Sequence, residues 1–257
     1  MINEVNQFKK FAGELVTKAG KILLESQSKA TIVKYKDLQD IATTADLASE
    51  KFIIDSIAKK YPDHSILSEE QGETDKKSDF EWIIDPLDGT KEFIRNIPMW
   101  NCSIALQFKG ETIASATYRP YEDSLFSAGK DLGSFHNDQK IHVSKVEKLE
   151  EAFIYCYLPS NKRNIDKYDW AFEKLKIIGK KAYRLRALSD ENSALCWMAQ
   201  GGSEAYVNLA NPPKIHDIAP GLLIAKEAGA FNAVNTIPLV VANNESIYNQ
   251  LVDIIKI

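Results

Sequence analysis

The sequence predicts a mixed α/β protein in two halves, and three observations carry that prediction. Apolar residues at helical spacing open the chain, short β-rich runs separated by turn signals fill 101–143, and an all-apolar strand after residue 150 is followed by helix, strand, helix, strand and helix. The halves are read as 1–150, an N-terminal α+β unit, and 151–257, a C-terminal α/β unit, with no low-complexity segment or linker between them.

Taken in order, Val5, Phe8, Ala12, Leu15, Ala19, Ile22 and Leu23 describe an amphipathic helix ending before Ser26, whose role is packing. A second helix is expected from about Thr44 to Tyr61, capped by Thr43 or Thr44, with Leu47, Ile53, Ile54 and Ile57 inward and Pro62 as its stop. Asp46 then lies in a first helical turn, where a carboxylate also suits the helix dipole. The run Trp82-Ile83-Ile84 reads as a buried strand, and Pro86 behind it cannot continue a ladder, so a turn is expected there. Cys102 to Phe108, Thr112 to Tyr118 and Ser124 to Ala128 are divided by Lys109-Gly110, Arg119-Pro120 and Gly129, the pattern of an antiparallel meander completing a large sheet. In the second half Phe153 to Tyr157 is a strand, Ser193 to Ala199 lie on a helix with Trp197 and Met198 as core residues, and Ile218 to Ala228 form another helix with Asp217 at its start.

At 257 residues the chain can bury one large core without staples. A net charge of -4 gives no electrostatic case for nucleic acid or an anionic membrane. No apolar run approaches the roughly 20 residues of a membrane helix, and Met1 to Val5 carries neither a basic nor an apolar leader pattern, so a cytoplasmic protein is expected. Cys102, Cys156 and Cys196 are far apart and outside any C-x-x-C pair, which suggests buried small hydrophobes rather than disulfides or zinc ligands. His64, His136, His142 and His216 are likewise scattered; His216 stands out by preceding Asp217.

Chemistry concentrates in Asp85-Pro86-Leu87-Asp88-Gly89-Thr90. The Asp85-x-x-Asp88 spacing across a turn lets two carboxylates face one point, as shared ligands of a hard cation do. Gly89 and Thr90 fall where a helix should begin, and backbone N–H groups there can cradle a phosphate. Asp, Pro and Gly also form ordinary turns. Glu69 and Glu70, following the apolar step Ile66-Leu67, supply a third carboxylate from a neighbouring strand end, a combination that turn chemistry alone does not require. Acid pair and cradle together indicate metal-assisted phosphate chemistry.

These residues resemble the inositol monophosphatase family of magnesium-dependent, lithium-sensitive phosphatases. Asp85 to Thr90 match its D-P-I/L-D-G-T signature, Glu70 is matched to the Glu of its E-E-x-G element, and Ile215 to Gly221 is similar to its W-D-x-A-A-G, with His216 for Trp and Pro220 for the second Ala. Asp40 to Asp46 resembles its D-L-V-T-x-x-D. The resemblance implies a layered αβαβα sandwich of the inositol monophosphatase/fructose-1,6-bisphosphatase type, forming one compact catalytic unit and a homodimer. It implies two or three Mg²⁺ ions: one held by Glu70, Asp85 and the Leu87 carbonyl, one by Asp85, Asp88 and Asp217, and a weaker third near Asp46 and Glu70. Thr90, with Asp46, would orient the attacking water, and Gly89 and Thr90 would hold the phosphate of a small phosphorylated metabolite.

The substrate is ambiguous in the sequence. Thr90-Lys91-Glu92-Phe93 resembles the branch acting on 3'-phosphoadenosine 5'-phosphate, yet Ser193-Ala194-Leu195 fills the region where that branch carries a lysine. Inositol-type members place small residues where Asp190 and Glu191 stand and a sugar-binding Glu where Asn208 stands. The acidic pair either suits an amine-bearing substrate such as histidinol phosphate or caps the following helix. A regulatory, protein-binding member of the fold is the alternative to an enzyme.

Overall fold

The computed structural model describes residues 2–35, 41–160, 165–188, 190–209, 212–231 and 238–256. Asp40, Ser189 and residues 232–237 lie outside them. Helix α1 (Ile2–Ser26) is followed by a short ribbon of β1 (Ile32–Tyr35) and β2 (Ile41–Thr43), then α2 (Thr44–Lys60). The large sheet takes β3 (Ser65–Ser68), β4 (Gly72–Thr74), β5 (Phe80–Asp88), β6 (Asn101–Phe108), β7 (Glu111–Arg119), β8 (Ser124–Gly129), β9 (Gly133–His136) and β10 (Gln139–Ile141), with the one-turn α3 (Thr90–Phe93) after β5. Its spatial order is β10-β9-β8-β7-β6-β5-β3-β4, so the expected meander forms and extends by two short strands. A second sheet of β11 (Phe153–Cys156), β12 (Arg184–Ala187), β13 (Ala205–Asn208) and β14 (Leu239–Ala242) runs β12-β11-β13-β14, and α4 (Ile165–Lys181), α5 (Glu191–Ala199), α6 (Ile215–Glu227) and α7 (Glu245–Lys256) alternate with its strands.

The buried clusters show how these elements stack. Val5, Phe8, Leu15, Ile53 and Ile57 of α1 and α2 pack on Trp82, Ile84, Ile104 and Tyr118 of the large sheet. On its other face Phe126 and Ala128 meet Cys196 of α5 and Leu223 and Ile224 of α6. The helices α5 and α6 also cover Tyr206, Leu239 and Val241 of the second sheet, whose far face carries α4 and α7. The order is therefore helices, sheet, helices, sheet, helices. Gly20 of α1 permits the closest approach, because a Cβ there would stand 2.5 Å from the Tyr118 ring.

Two expectations are corrected and one is narrowed. Leu47 is 42% exposed, and the inward face of α2 is instead Ala45, Asp46, Ser49, Glu50, Ile53 and Ile57. Thr43 alone is the cap, accepting from the Ala45 N–H. The ladder does not stop at Asp85: β5 pairs on through Asp88, with Asp85 opposite Ser103 and Asp88 opposite Asn101, and Pro86 and Leu87 are accommodated in a bulge. A bulge leaves its extra residues outside the ladder, so the missing proline donor costs nothing there. The three cysteines are free and buried.

Candidate active site

Strands β3 and β5 are parallel, with Ser68 opposite Ile84, so their carboxyl ends finish side by side. Glu69 donates its N–H to the Ile84 carbonyl at 3.2 Å and thereby follows alongside Asp85. Ligands of open α/β sheets bind beyond such strand ends. The bulge turns Asp85 inward, where Oδ1 accepts from the Leu87 N–H at 3.2 Å, and Ser49 of α2 donates to the Pro86 carbonyl at 2.9 Å to pin the turn. Gly89 then adopts a left-handed φ of 89°, and a Cβ on it would lie 2.7 Å from the Met99 carbonyl oxygen. Only glycine meets both conditions.

Behind this turn stands the first turn of α2. The Asp46 carboxylate accepts from the Thr43 N–H at 3.0 Å and from the Thr43 hydroxyl, closing a capping box, and its other oxygen accepts from the Thr90 hydroxyl at 3.1 Å. Burial raises the Asp46 carboxyl to about 6 despite these donors. One helical turn later Glu50 is fully buried, and one of its oxygens accepts from the Ser68 hydroxyl, from the Glu70 N–H at 3.0 Å and from the Gln71 N–H at 3.1 Å. Those bonds turn the chain after Glu69. They are why Glu69, and not Glu70 as expected from the sequence, lines the cavity between the halves.

The opposite wall comes from the second half. Asp217 lies in the first turn of α6 and accepts from the Lys214 N–H at 3.1 Å, while His216 Nε2 stands 3.2 Å from its Oδ1. Lys214 reaches over the cavity to within 3.8 Å of Glu69. Pro220 breaks the α6 ladder, and Asn192 repairs it, donating to the His216 carbonyl at 3.3 Å and accepting from the Gly221 N–H at 2.9 Å. The acidic pair of the sequence is split. Asp190 caps α5 through the Ser193 N–H at 2.8 Å and lies outside the cavity wall, next to Asp88, whereas Glu191 lines it. Asn208 is buried in β13 and does not line it. The cavity, about 110 Å³, is thus walled by Glu69, Asp85, Asp88, Glu191 and Asp217, and Gly89, Thr90, Tyr157, Lys91 and Lys214 also line it.

This much negative charge in one enclosed space is costly. Burial, then the charge of Glu69 and of Asp217, holds the Asp85 carboxyl well above the ordinary carboxylate range; burial and Asp190 do the same to Asp88, and burial and Asp217 to Glu191. Among the described residues no three acidic, histidine or cysteine side chains are already drawn together as a coordination shell. The donor set nonetheless fits a hard divalent cation: carboxylate oxygens from two strand ends and a facing helix, short of compensating positive charge, with no thiolate.

Comparison with known proteins places the chain. The model of the inositol monophosphatase family matches residues 4–250. The chain belongs to the inositol monophosphatase family. It is 32% identical over 215 residues to Nus factor SuhB of Pasteurella multocida, covering 82% of this chain and 79% of that one. It is 31% identical over 247 residues to the fructose-1,6-bisphosphatase/inositol-1-monophosphatase of Aquifex aeolicus, covering 92% and 90%. The solved structure of the extragenic suppressor protein SuhB of Bartonella henselae superposes with a TM-score of 0.86 at 29% identity, over 95% of this chain and 96% of that one. The layered fold expected from the resemblance is that of these relatives.

Within this family fold, the structure brings together Asp85, Leu87, Asp88, Gly89, Thr90 and Asp217, with Asp46 just behind Thr90. It leaves Glu70, Asp190 and Asn208 outside the cavity wall. Sequence reasoning passed over Glu50, Lys214, Asn101 and Arg119. Helical spacing could have flagged Glu50, which follows Asp46 by four residues, and Lys214 stands one turn before Asp217. Asn101 and Arg119 gave no signal, since they matter through partners across the strand and far away in the chain.

Proposed function

We propose that this family member is a divalent-metal-dependent phosphomonoesterase that hydrolyses a small phosphorylated alcohol. The observation that carries the reading is the convergence of Glu69, Asp85, Asp88 and Asp217 on one cavity that the Gly89-Thr90 turn also lines. Glu69, Asp85 and the Leu87 carbonyl would hold one Mg²⁺, and Asp85, Asp88 and Asp217 a second, with Glu69 taking the place first given to Glu70. Bound there, such ions neutralise the phosphate dianion, acidify water and stabilise the leaving alkoxide. Thr90 does the positioning. Its hydroxyl lies 3.1 Å from both an Asp46 oxygen and the Leu87 carbonyl, so its proton is taken up inside the protein and its oxygen is left to accept from a water and aim it at phosphorus. The water oxygen forms the new P–O bond, the bond to the alcohol oxygen breaks, and the alcohol leaves carrying a proton. The Gly89 and Thr90 amides hold the phosphoryl oxygens.

The cavity wall bears on substrate. Glu191 in the wall favours an alcohol with a cationic or hydroxyl-rich body, and Lys214 offers a single ammonium to an anionic one. A second reading is regulatory, favoured by the identity to a protein named Nus factor. Phosphate release from myo-inositol 1-phosphate, 3'-phosphoadenosine 5'-phosphate, fructose 1,6-bisphosphate and histidinol phosphate, with Mg²⁺, with chelator and with Li⁺, tests the first reading. One preferred substrate, silent in chelator and inhibited by Li⁺, is the expected result. No release across the panel from protein that binds Mg²⁺ would favour the regulatory reading.

A further inference from the structure

A buried polar chain runs from Asp88 across the sheet into the second half of the molecule. Asn101 stands opposite Asp88 in the β5–β6 pairing, and its amide nitrogen donates to Asp88 Oδ2 at 3.1 Å and to Asp190 Oδ1 at 2.8 Å. Its amide oxygen accepts from Ser103, whose hydroxyl also lies 2.9 Å from Thr117. That bond fixes which end of the amide faces the carboxylates. Asp190 in turn is held by the Ser193 N–H and lies 3.7 Å from Arg119, whose guanidinium donates to Ser193 Oγ, forms a bidentate pair with Glu122 at 2.6 and 2.8 Å, and lies 4.4 Å from the centre of the Trp197 ring. Asn101, Arg119, Asp190 and Ser193 are all at most 2% exposed.

The α5 cap and Arg119 account for where Asp190 sits, but two carboxylates held by one amide deep in a protein would repel, and neither contact gives a reason to set Asp88 beside it. A cation on the Asp88 side does, because Asn101 then aims Asp88 and Asp190 adds an outer negative charge. We infer that Asn101 and Asp190 are positioning residues for Asp88, setting cation affinity at the site from outside its wall, with Arg119 keeping Asp190 in place. The inference rests on the reading of Asp88 as a metal-holding residue. It also explains the split of the acidic pair: Asp190 serves the site through Asn101, while its neighbour Glu191 faces the substrate space.

The test is Mg²⁺ binding by titration calorimetry on the whole protein, with melting in chelator as a measure of fold. Asn101→Leu keeps the volume and removes the donor; Asp190→Asn keeps a helix cap and removes the charge. Loss of a group that supports a metal ligand weakens binding about 10- to 100-fold, the result expected for Asn101→Leu, with a smaller loss of about 3- to 10-fold for Asp190→Asn. At saturating Mg²⁺ kcat should return close to wild type, a split that a merely destabilised fold would not give. Should Asn101→Leu fail to fold, Asp190→Asn carries the test alone. If both variants bind Mg²⁺ as the wild type does while Asp88→Asn does not, the positioning role is overturned and Asp88 keeps its own. If Asp88→Asn also binds as wild type, the reading beneath the inference falls with it.

Discussion

The two walls of the cavity are built differently. On the first, Asp85, Asp88 and Glu69 sit at adjacent strand ends, fixed by a bulge, a left-handed glycine and bonds from Ser49, Asn101 and Leu87. On the second, Asp217 and Lys214 sit at a helix start and are 30% and 54% exposed, and the helix they begin is broken by Pro220. The difference separates rigid placement of charge from adjustable recognition. The strand-end wall sets like charges close together and is pinned by bonds from neighbouring elements, whereas the helix-start wall, which gives Asp217 to the proposed metal site and Lys214 to the substrate side, is tied down less.

The hardest way to break this comparison is at Asp85. Asp85→Asn should leave the fold intact, since it relieves a buried charge, yet lower turnover at least about a thousandfold, roughly 4 kcal/mol of transition-state stabilisation. Steady-state kinetics beside a melting curve checks it; activity within tenfold of wild type would remove Asp85 from the metal-holding set.

Next is the cost of holding charge at Asp46. Its native carboxyl is raised from the ordinary value to about 6, so between about pH 4 and 6 the folded state binds more protons than the unfolded one. Stability in chelator must therefore fall as pH rises through that window, by up to about 3 kcal/mol from this fully buried group. Urea unfolding of Asp46→Asn should show that loss removed, leaving the variant the more stable of the two near neutrality. Equal pH slopes for both proteins would contradict it.

A finer cut compares neighbours. Glu69→Gln should reduce turnover about a hundredfold and Glu70→Gln less than about threefold, because only Glu69 faces the cavity. The reverse ranking would restore the assignment first read from the sequence. That reading shows where legibility stops. The Asp85–Thr90 signature, the capping helix behind it and the succession of strands were visible because each is a local pattern: apolar alternation, a Thr cap, an acidic turn with glycine. Whether Glu69 or Glu70 turns inward depends on Glu50 taking the N–H groups of Glu70 and Gln71 from another element, and no local pattern encodes that. Of the two roles the sequence left open for Asp190, substrate contact and helix cap, the structure takes the cap, and it adds partners no local pattern encodes, Asn101 and Arg119, 89 and 71 residues earlier in the chain.

The smallest expected effect tests the adjustable wall itself. Lys214 lies 3.8 Å from Glu69 and is half exposed, so the pair carries the weak coupling of a solvated ion pair, about 0 to 1 kcal/mol. An ammonium in that place acts in opposite senses on the two things that enter the cavity: it opposes a cation at Glu69 and attracts a phosphate dianion. Lys214→Met should therefore lower the Mg²⁺ concentration needed for half-activity and raise KM for a phosphomonoester, each by a few-fold, with kcat little changed. Both effects should shrink in high salt, since an exposed charge is screened. If KM rises without any change in Mg²⁺ dependence, Lys214 serves the substrate alone and the second wall meets the metals through Asp217 only; if Mg²⁺ dependence shifts alone, Lys214 too acts on the metal site and the division between the two walls is less sharp than the geometry draws it.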